Sequence, residues 1–359
     1  MAEEYPENGQ DEEDESEARD DEAPGPILKK KPVFASADFA PNGKTLLTAG
    51  WDGVLSEWDA ETGGRLSTLL EPGPPQDANP PAGLPRQDEA AGQAIRVIRL
   101  SEYQRGWSLP TVRFSKDGRL FAVGALNGWV VVWNAHSRGE LSHFPPHGWG
   151  VSALDFSPDG RYLATGSREW GGDTLRLWRV PKSPEEGFQE IFRSKKHPGG
   201  VRNVRFSPDG RHLAASGVPL STYMAPLIFR TRTGSLRSQL EWDVSWAVEF
   251  SPKGRLLATG NDFGEIRIWR WKRNRRELEI AAHKEIVRSL DWSPNGRNMA
   301  SGSNDGAVKV WDIRDGRLVR EFALAGNIVA CRFFEDGRIL RAAAAAEEAI
   351  APEIRRWTM

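Results

Sequence analysis

Residues that could carry out catalysis or bind a metal ion are sparse in this chain of 359 residues. The single cysteine is Cys331, so neither a disulfide framework nor a cysteine metal cluster is expected. Six histidines lack the spacing of metal ligands: His136, His143, His147, His197, His212 and His283. No Walker loop, HExxH, GxSxG or CxxC motif is present. The sequence therefore predicts no cofactor, no metal site and no enzymatic activity.

What the sequence does contain is a recurring arrangement of apolar runs and turns, and the segment 282–312 holds one complete copy. Its first run ends at Trp292, the letters SPNG turn the chain, and a second run begins at Met299. The letters NDG turn it again, and a third run ends at Trp311. Short runs rich in β-branched and aromatic residues, separated by such turns, predict three antiparallel strands.

The same arrangement occurs seven times along the chain. One aromatic residue stands before a turn of this kind in each copy: Phe39, Phe114, Phe156, Phe206, Phe250, Trp292 and Phe333. A second aromatic residue closes each copy: Trp58, Trp133, Trp178, Phe229, Trp269, Trp311 and Trp357. A spacing of about 40 to 50 residues, apart from one insertion, is typical of repeat proteins in which similar sheets bury their faces against one another.

The pattern resembles that of the WD40 repeat family over nearly the whole chain after residue 26. The resemblance implies an all-β fold, a seven-bladed β-propeller of four-stranded antiparallel sheets. The last copy has no room for its own outer strand, so we expect 27–31 to pair there and close the ring. The resemblance also implies a structural, non-catalytic quartet that links a turn to two strands: His283, Ser301, Asp305 and Trp311. The fourth copy departs most, because it lacks both the Asp and the Trp.

Charge is unevenly distributed behind a net charge of −2. Residues 1–25 hold twelve acidic residues and one arginine, which leaves 47 basic and 38 acidic residues in the remainder. We expect 1–25 to be a disordered acidic tail and 26–359 to be the propeller. The acidic N-terminus does not resemble a secretory signal, and no apolar run reaches the roughly 18 to 20 residues that span a bilayer. A cytoplasmic protein without a membrane partner is therefore expected.

Two stretches leave the strand assignment open or unusual. A proline-rich loop insertion at about 71–92 follows the first copy, and either 65–70 or 94–100 could be the outer strand of the first blade. The alanine run that begins at Ala342 favours a helix where a strand is needed, so we expect a distorted last blade.

The most promising functional residues are aromatic. In a WD40 ring, the loops entering each inner strand and the turns between second and third strands share the top face, where this chain places Trp51, Trp107, Trp149, Trp170, Trp242, Trp246 and Phe263. Arg202 and Arg288 hold equivalent positions there and would add charge. Exposed aromatic residues around a central opening would anchor a protein partner. The alternative is that they fill gaps between blades.

A second set is the residue before each marker aromatic, and its signs alternate except between the fifth and sixth copies: Asp38, Arg113, Asp155, Arg205, Glu249, Asp291 and Arg332. Equivalent positions of neighbouring blades approach one another at the central channel. We therefore predict a ring of charge pairs between blades, which specifies blade order more than it adds stability. An ion- or anion-binding channel is the alternative.

A third set is the basic residue after each repeat turn: Lys44, Arg119, Arg161, Arg211, Arg255, Arg297 and Arg338. The resemblance places this collar on the bottom face, where basic residues commonly solvate the strand starts. It could also attract an acidic partner or the acidic tail. With Arg273, Arg275 and Arg276, it could bind nucleic acid through phosphate contacts.

These observations predict a non-catalytic scaffold or adaptor that binds a protein or peptide partner through its aromatic-rich top face, within a multiprotein complex. The alternative is an RNA-associated propeller that uses the basic bottom collar. The two differ in a measurable way, since RNA binding would weaken as salt rises.

Overall fold

The computed structural model describes residues 34–359 except 72–97, 100–107, 169–171, 184–185, 195, 197–199, 218–224, 242–243, 347–348 and 350. These residues all belong to the unit Lys31–Met359. They form β-strands almost throughout, with short 3-10 turns at Trp271–Arg273 and Glu335–Gly337. Their strands make seven sheets, each one a blade. The prediction of an all-β, seven-bladed propeller is confirmed.

Consecutive strands are neighbours within each of the first four blades. Blade one contains β1 (Phe34–Phe39), β2 (Thr45–Gly50), β3 (Leu55–Asp59), β4 (Arg65–Glu71) and β5 (Ile98–Arg99). Blade two contains β6 (Thr111–Phe114), β7 (Leu120–Gly124), β8 (Val130–Asn134) and β9 (Glu140–Phe144). Blade three contains β10 (Val151–Phe156), β11 (Tyr162–Ser167), β12 (Leu175–Arg179) and β13 (Gln189–Ser194). Blade four contains β14 (Val201–Phe206), β15 (His212–Gly217), β16 (Leu227–Arg230) and β17 (Leu236–Gln239).

The last three blades follow the same plan. Blade five contains β18 (Ser245–Phe250), β19 (Leu257–Asn261), β20 (Glu265–Arg270) and β21 (Arg275–Ala281). Blade six contains β22 (Val287–Trp292), β23 (Asn298–Ser303), β24 (Ala307–Asp312) and β25 (Arg317–Ala323). Blade seven contains β26 (Asn327–Phe334), β27 (Ile339–Ala345) and β28 (Glu353–Thr358).

The turn between the first two strands of a blade shows why the repeat needs its letters. In blade three, Asp159 Oδ1 accepts hydrogen bonds from Ser157 Oγ at 2.6 Å and from the backbone N–H of Arg161 at 3.1 Å. Gly160 has φ of 69°, in the left-handed region that glycine adopts without strain. Ser157 Oγ in turn accepts the backbone N–H of Tyr162 at 2.9 Å. The Ser-Pro-Asp-Gly sequence therefore satisfies its own polar groups and reverses the chain tightly.

The hydrophobic core lies between the blades. Seven apolar clusters fill the seven contacts between neighbouring blades. One of them joins the two ends of the ring, packing Phe39 and Trp58 of blade one against Ala330 and Ala343 of blade seven. A sheet with two apolar faces needs a neighbour on each side, so a closed circle satisfies all seven at once.

The first strand of six blades carries a register irregularity near its start. The residues at these irregularities are Ala35, Ser152, Arg202, Trp246, Arg288 and Val329. A β-bulge bends the strand and re-aims the side chain of the extra residue. All six of these residues line the upper end of the central channel. The bulges therefore determine which side chains meet at that opening.

The structure decides three questions that the sequence raised about the strands of blades one, four and seven. The outer strand of blade one is β4, while residues 98–99 of the alternative segment add the short β5, parallel to β4. The expected distortion of the last blade is wrong, because the alanine run forms part of β27, which pairs with β26 with the same single bulge that five other blades have at this place. Alanines buried between blades one, six and seven fit the narrow space there, which outweighs helix propensity. The fourth blade, the weakest match to the repeat, has four strands.

Two expectations lie outside the described residues: the acidic tail at 1–25 and the closing strand at 27–31. Most of the loop insertion at 71–92 is also outside them. Within the described part of blade seven, three strands are present.

Candidate functional site

The four residues of the predicted quartet in blade six are joined by hydrogen bonds. His283 Nδ1 lies 3.0 Å from Asp305 Oδ2, and His283 Nε2 lies 2.7 Å from Ser301 Oγ. Trp311 Nε1 donates to the same hydroxyl at 2.9 Å. Burial lowers the pKa of His283, so the ring is neutral, with Nδ1–H donating to the carboxylate and Nε2 accepting from Ser301. These buried polar groups satisfy one another and perform no chemistry.

Other blades keep only part of this arrangement. The closing tryptophan donates to a buried threonine hydroxyl in blades one, three and five: Trp58 to Thr48, Trp178 to Thr165, and Trp269 to Thr259. In blade two, Val123 stands where the hydroxyl would be, and Trp133 Nε1 has no hydrogen-bond partner among the described residues. The hydrogen bond from the closing tryptophan to a buried hydroxyl is therefore present in blades one, three and five and missing in blade two.

The seven residues before the marker aromatics all line a cavity of about 220 Å³ in the central channel, which we call the lower channel. Arg113 Nη1 lies 3.6 Å and Arg332 Nη1 lies 3.8 Å from Asp38 Oδ1, so blades two and seven both contact blade one. Arg205 Nε lies 2.7 Å from Glu249 Oε2 and joins blades four and five. Charge pairing between blades is confirmed for these three contacts.

The aspartates of this ring make a second contact between blades. Each accepts a backbone N–H from the marker aromatic of the next blade: Asp38 from Phe114 at 2.8 Å, Asp155 from Phe206 at 2.7 Å, and Asp291 from Phe333 at 2.6 Å. A hydrogen bond that requires a carboxylate in one blade and a free amide in the next helps to specify which blades are neighbours.

The charges of the lower channel are nearly balanced. Burial raises the pKa of Asp155 to about 6 and that of Asp291 to about 7, against the opposing attraction of Arg205 and Arg332. Burial, together with repulsion from Arg205, lowers the pKa of Arg113 to about 10. Two of the four carboxyl groups therefore titrate near neutral pH, and the others face arginines.

The upper end of the channel is a separate cavity of about 90 Å³, which we call the upper channel. Five arginines line it: Arg113, Arg168, Arg202, Arg205 and Arg288. No carboxylate is among the described residues that line it. Arg113 and Arg205 also contact carboxylates of the lower channel. The other three make no ion pair with any described residue, and we call them the upper arginine cluster.

Trp246 lies at the centre of this cluster. The guanidinium carbon of Arg202 is 3.7 Å from the centroid of the indole ring, and that of Arg288 is 5.1 Å from it. Cation–π attraction of this kind positions both groups without neutralising their charge. Arg288 Nε donates to Asn304 Oδ1 at 2.9 Å, whereas the buried Arg202 Nε has no partner among the described residues.

The arginines of the cluster repel one another. Burial and the charges of Arg168 and Arg288 lower the pKa of Arg202 to about 10, with weak opposition from Asp262. Burial and Arg168 also lower the pKa of Arg288. All three groups stay cationic at neutral pH. Three positive charges therefore converge on a cavity whose described lining includes no carboxylate, and the charge of Asp262 offsets only part of the repulsion on Arg202.

Aromatic side chains on the top face occupy two different environments. Trp149 is 71% exposed and Phe263 is 66% exposed, the two largest values among the described large apolar residues. Trp51 and Trp246 are half-buried, and both line the upper channel. The predicted residues Trp107, Trp170 and Trp242 lie outside the described residues. Of the described part of the predicted site, two aromatic residues project from the face and two contribute to the channel wall.

The bottom collar is exposed, as predicted, but several of its charges are paired. All seven of its basic residues are exposed. Arg119 Nε lies 2.5 Å from Asp117, Arg161 lies 3.6 Å from Asp159, and Arg297 lies 3.8 Å from Asp312. The backbone N–H of these residues also bonds the side chain of the repeat turn. Much of the collar thus belongs to the turn structure.

Arg168 and Asn304 belong to the site but are absent from the sequence-based set. Both follow directly after the second strand of their blade, as Trp51 does. The same position places Trp51 on the top face, so it could have identified Arg168 and Asn304 from the sequence as well. What could not be read from the sequence is that the bulged arginines of blades four and six meet Arg168 across the opening.

Other kinds of site have little support in the described part of the chain. It contains no group of three His, Cys, Asp or Glu residues that could hold a metal ion. None of its helices has the length and apolar character required to cross a bilayer. The described residues of the site form a cationic channel mouth, and exposed aromatic residues lie in loops of the same face.

Family models agree with this architecture. The model of the WD domain, G-beta repeat, matches residues 29–59, 104–134, 139–179 and 188–218. The model of the anaphase-promoting complex subunit 4 WD40 domain matches residues 248–336. No curated protein matches the chain. The two matches cover different blades of one ring of seven sheets, each built on the same turn and closing aromatic. The chain belongs to the WD40 repeat family.

Proposed function

We propose that this protein is a non-catalytic scaffold that binds a protein or peptide partner through its top face. The observation that carries the proposal is the exposure of Trp149 and Phe263 in loops of that face, together with a channel mouth lined by Trp51 and Trp246. Large aromatic side chains are energetically costly to leave in water and are enriched among the residues that dominate binding energy at interfaces.

Two further observations support this proposal. WD40 propellers generally act as protein-interaction scaffolds. One of the two matching models describes a domain of a subunit of the anaphase-promoting complex, which is a multiprotein assembly by its name. Membership of a multiprotein complex is accordingly part of the proposal. The bottom collar supports an RNA-binding alternative less well, because several of its arginines contact carboxylates.

The test compares partner capture by the wild type and by a variant with Trp149→Ala and Phe263→Ala. Proteins retained by the wild type in the native organism would be identified by mass spectrometry, and direct affinity would then be measured with each purified candidate. We expect the double variant to weaken binding by at least about tenfold, because exposed aromatic anchors carry much of the binding energy.

The matched control is Leu318→Ala with Val319→Ala. These apolar residues are 45% and 44% exposed on the outer strand β25, away from the top face. The control variant should bind as the wild type does. Equal retention of every partner by the top-face variant would refute the proposal, as would equal loss in both variants.

A further inference from the structure

The upper channel combines features that the scaffold function alone does not require. Three arginines from blades three, four and six converge on one cavity of about 90 Å³, and none has an ion pair with a described residue. Arg202 and Arg288 are half-buried, whereas Arg168 is exposed. Three other half-buried arginines of the described chain are each paired with a carboxylate: Arg205 with Glu249, Arg176 with Glu190, and Arg267 with Glu265. Partly buried arginine without a counter-charge is unfavourable, so an external anion would relieve the site.

The geometry points to a binding site for a doubly charged tetrahedral oxoanion in the upper channel, held by Arg168, Arg202 and Arg288, and we propose that it receives a phosphorylated side chain of the peptide partner. This inference rests on the proposed function and names the chemistry of its partner.

The number of donors favours a phosphate group over a carboxylate. A carboxylate has two oxygens and is satisfied by one guanidinium in a bidentate contact. A phosphorylated side chain carries about −1.5 to −2 charges at neutral pH and three acceptor oxygens. Three guanidinium groups match that charge and number of acceptors more closely. The unpartnered, buried Arg202 Nε is an additional donor in the wall of the site.

The structure also holds two of the guanidinium groups in place before any ligand arrives. The guanidinium of Arg202 lies over the ring of Trp246, and Arg288 contacts both Trp246 and Asn304. Because these contacts use the face of the guanidinium or a single N–H, other N–H groups remain available to a ligand. A pre-positioned site loses less side-chain entropy on binding.

The exposed aromatic residues of the top face favour a peptide over a free anion. Trp149 and Phe263 project from loops of blades three and five, close in sequence to Val151 and Glu265 at the strand starts. Exposed apolar side chains on the same face as a cationic opening suit a peptide that carries both an anionic residue and apolar residues. A free phosphate ion would use the arginines but leave these aromatic residues exposed.

The test measures binding of a degenerate peptide library containing one central phosphoserine, with the unphosphorylated library, inorganic phosphate and a single-stranded RNA as parallel probes. The full chain is used, and affinity is measured by fluorescence anisotropy or calorimetry. We expect the phosphorylated library to bind at least about tenfold more tightly than each other probe, as an added charge-assisted contact implies.

The variants are Arg168→Gln and Arg288→Gln, with Arg211→Gln as the matched control. Arg211 is exposed on the bottom collar and makes no ion pair with a described residue. Each top-face variant should weaken phosphopeptide binding about tenfold, and the control should not change it. Arg168 is exposed, so its replacement leaves the fold intact, which thermal unfolding would verify.

The possible outcomes separate this inference from the proposed function. Equal affinity for both libraries, or unchanged binding by Arg168→Gln and Arg288→Gln, would overturn the inference. Loss of protein partners after Trp149→Ala and Phe263→Ala would still support the scaffold function in that case. Tighter binding of inorganic phosphate or RNA than of the phosphopeptides would also overturn the inference.

Discussion

The upper and lower channel are lined by the same inner strands, yet they treat charge in opposite ways. In the lower channel, Arg113 and Arg332 share Asp38, and Arg205 pairs with Glu249. In the upper channel, three residues earlier along these strands, arginines meet and no described carboxylate lines the cavity. Strands of one type can thus hold a balanced structural ring at one level and an unbalanced cationic site at the next.

The difference separates structure from function within one channel. Charges that are paired between blades are satisfied by the protein itself, and they help to specify its assembly. Charges that repel one another reduce stability and persist where a ligand can compensate for them. We propose that the upper arginine cluster, in which burial and neighbouring arginines lower the pKa values of Arg202 and Arg288, is of the second kind.

The largest expected effect comes from removing a paired charge of the lower channel. Arg205→Ala leaves Glu249 without its partner at 2.7 Å, and breaking a buried pair in this way costs about 3–5 kcal/mol. Chemical denaturation would measure the free energy of unfolding.

Arg202→Ala is the matched change in the upper channel. We expect it to lower the free energy of unfolding by about 1 kcal/mol or less, because relief of repulsion offsets the loss of packing on Trp246. Similar losses in the two variants would contradict the comparison.

Replacing both members of the same pair sharpens the test. Arg205→Met together with Glu249→Leu leaves no buried charge unpaired. Its cost should be well below that of Arg205→Ala alone, since buried ion pairs often contribute little net stability. A double variant as unstable as the single one would show that the pair itself stabilises the fold.

A smaller effect is expected from Asp291→Asn, and it depends on pH. The folded-state pKa of Asp291, about 7, lies above the ordinary value of 3.8. Between these two pH values the folded protein keeps a proton on Asp291 that the unfolded chain releases. The contribution of Asp291 to the free energy of unfolding is therefore most favourable below about pH 4 and is lost as the pH rises through 7. Asparagine cannot ionise and still accepts the Phe333 N–H. We expect the variant to gain on the order of 2 kcal/mol over the wild type at pH 8 and nothing at pH 4.

The control for this pH dependence is Glu277→Gln on the protein surface. Hydrogen bonds from Arg270 and Arg275 lower the pKa of Glu277 to about 2, so its contribution has the opposite sign and is lost only as pH falls through the acid range. Unfolding would be followed across pH 4–8 for both variants. A pH profile of Asp291→Asn parallel to that of the wild type would rule out the titration of Asp291.

The smallest expected effect comes from making the upper channel resemble the lower one. Ala35 lines the upper channel, and Ala35→Glu would place a carboxylate among its arginines. We expect a gain of about 0.5–1 kcal/mol that diminishes with added salt, together with weaker phosphopeptide binding. Ala35→Gln is the matched neutral control. Equal stability of the two variants would show that the arginine charges are already compensated.

Much of the fold could be predicted from short segments. The Ser-Pro-Asp-Gly turn, the marker aromatic before it and the closing aromatic after it report on contacts within one blade, between residues close together in sequence. The quartet of His283, Ser301, Asp305 and Trp311 was predictable for the same reason, because its members span a single repeat.

The sequence predicted strands less well where packing between blades opposes the secondary-structure preference of a segment. The alanine run of β27 has helix-favouring composition, but its burial between blades one and six selects a strand. The choice of β4 as the outer strand, with 98–99 pairing beyond it, was equally undecidable from sequence, since both segments have strand composition.

Periodicity along the chain established the number of blades, the position of their turns and the level at which each ring of charges lies, because these are properties of one repeat. Which charges pair and which remain unpaired was decided by the closed ring. There, the bulges at Arg202, Trp246 and Arg288 aim side chains from separate blades into one opening. Arg168 joins them from a position more than thirty residues away from Arg202 along the chain. Attraction and repulsion act through distance in space, and that distance exists only once the circle is complete.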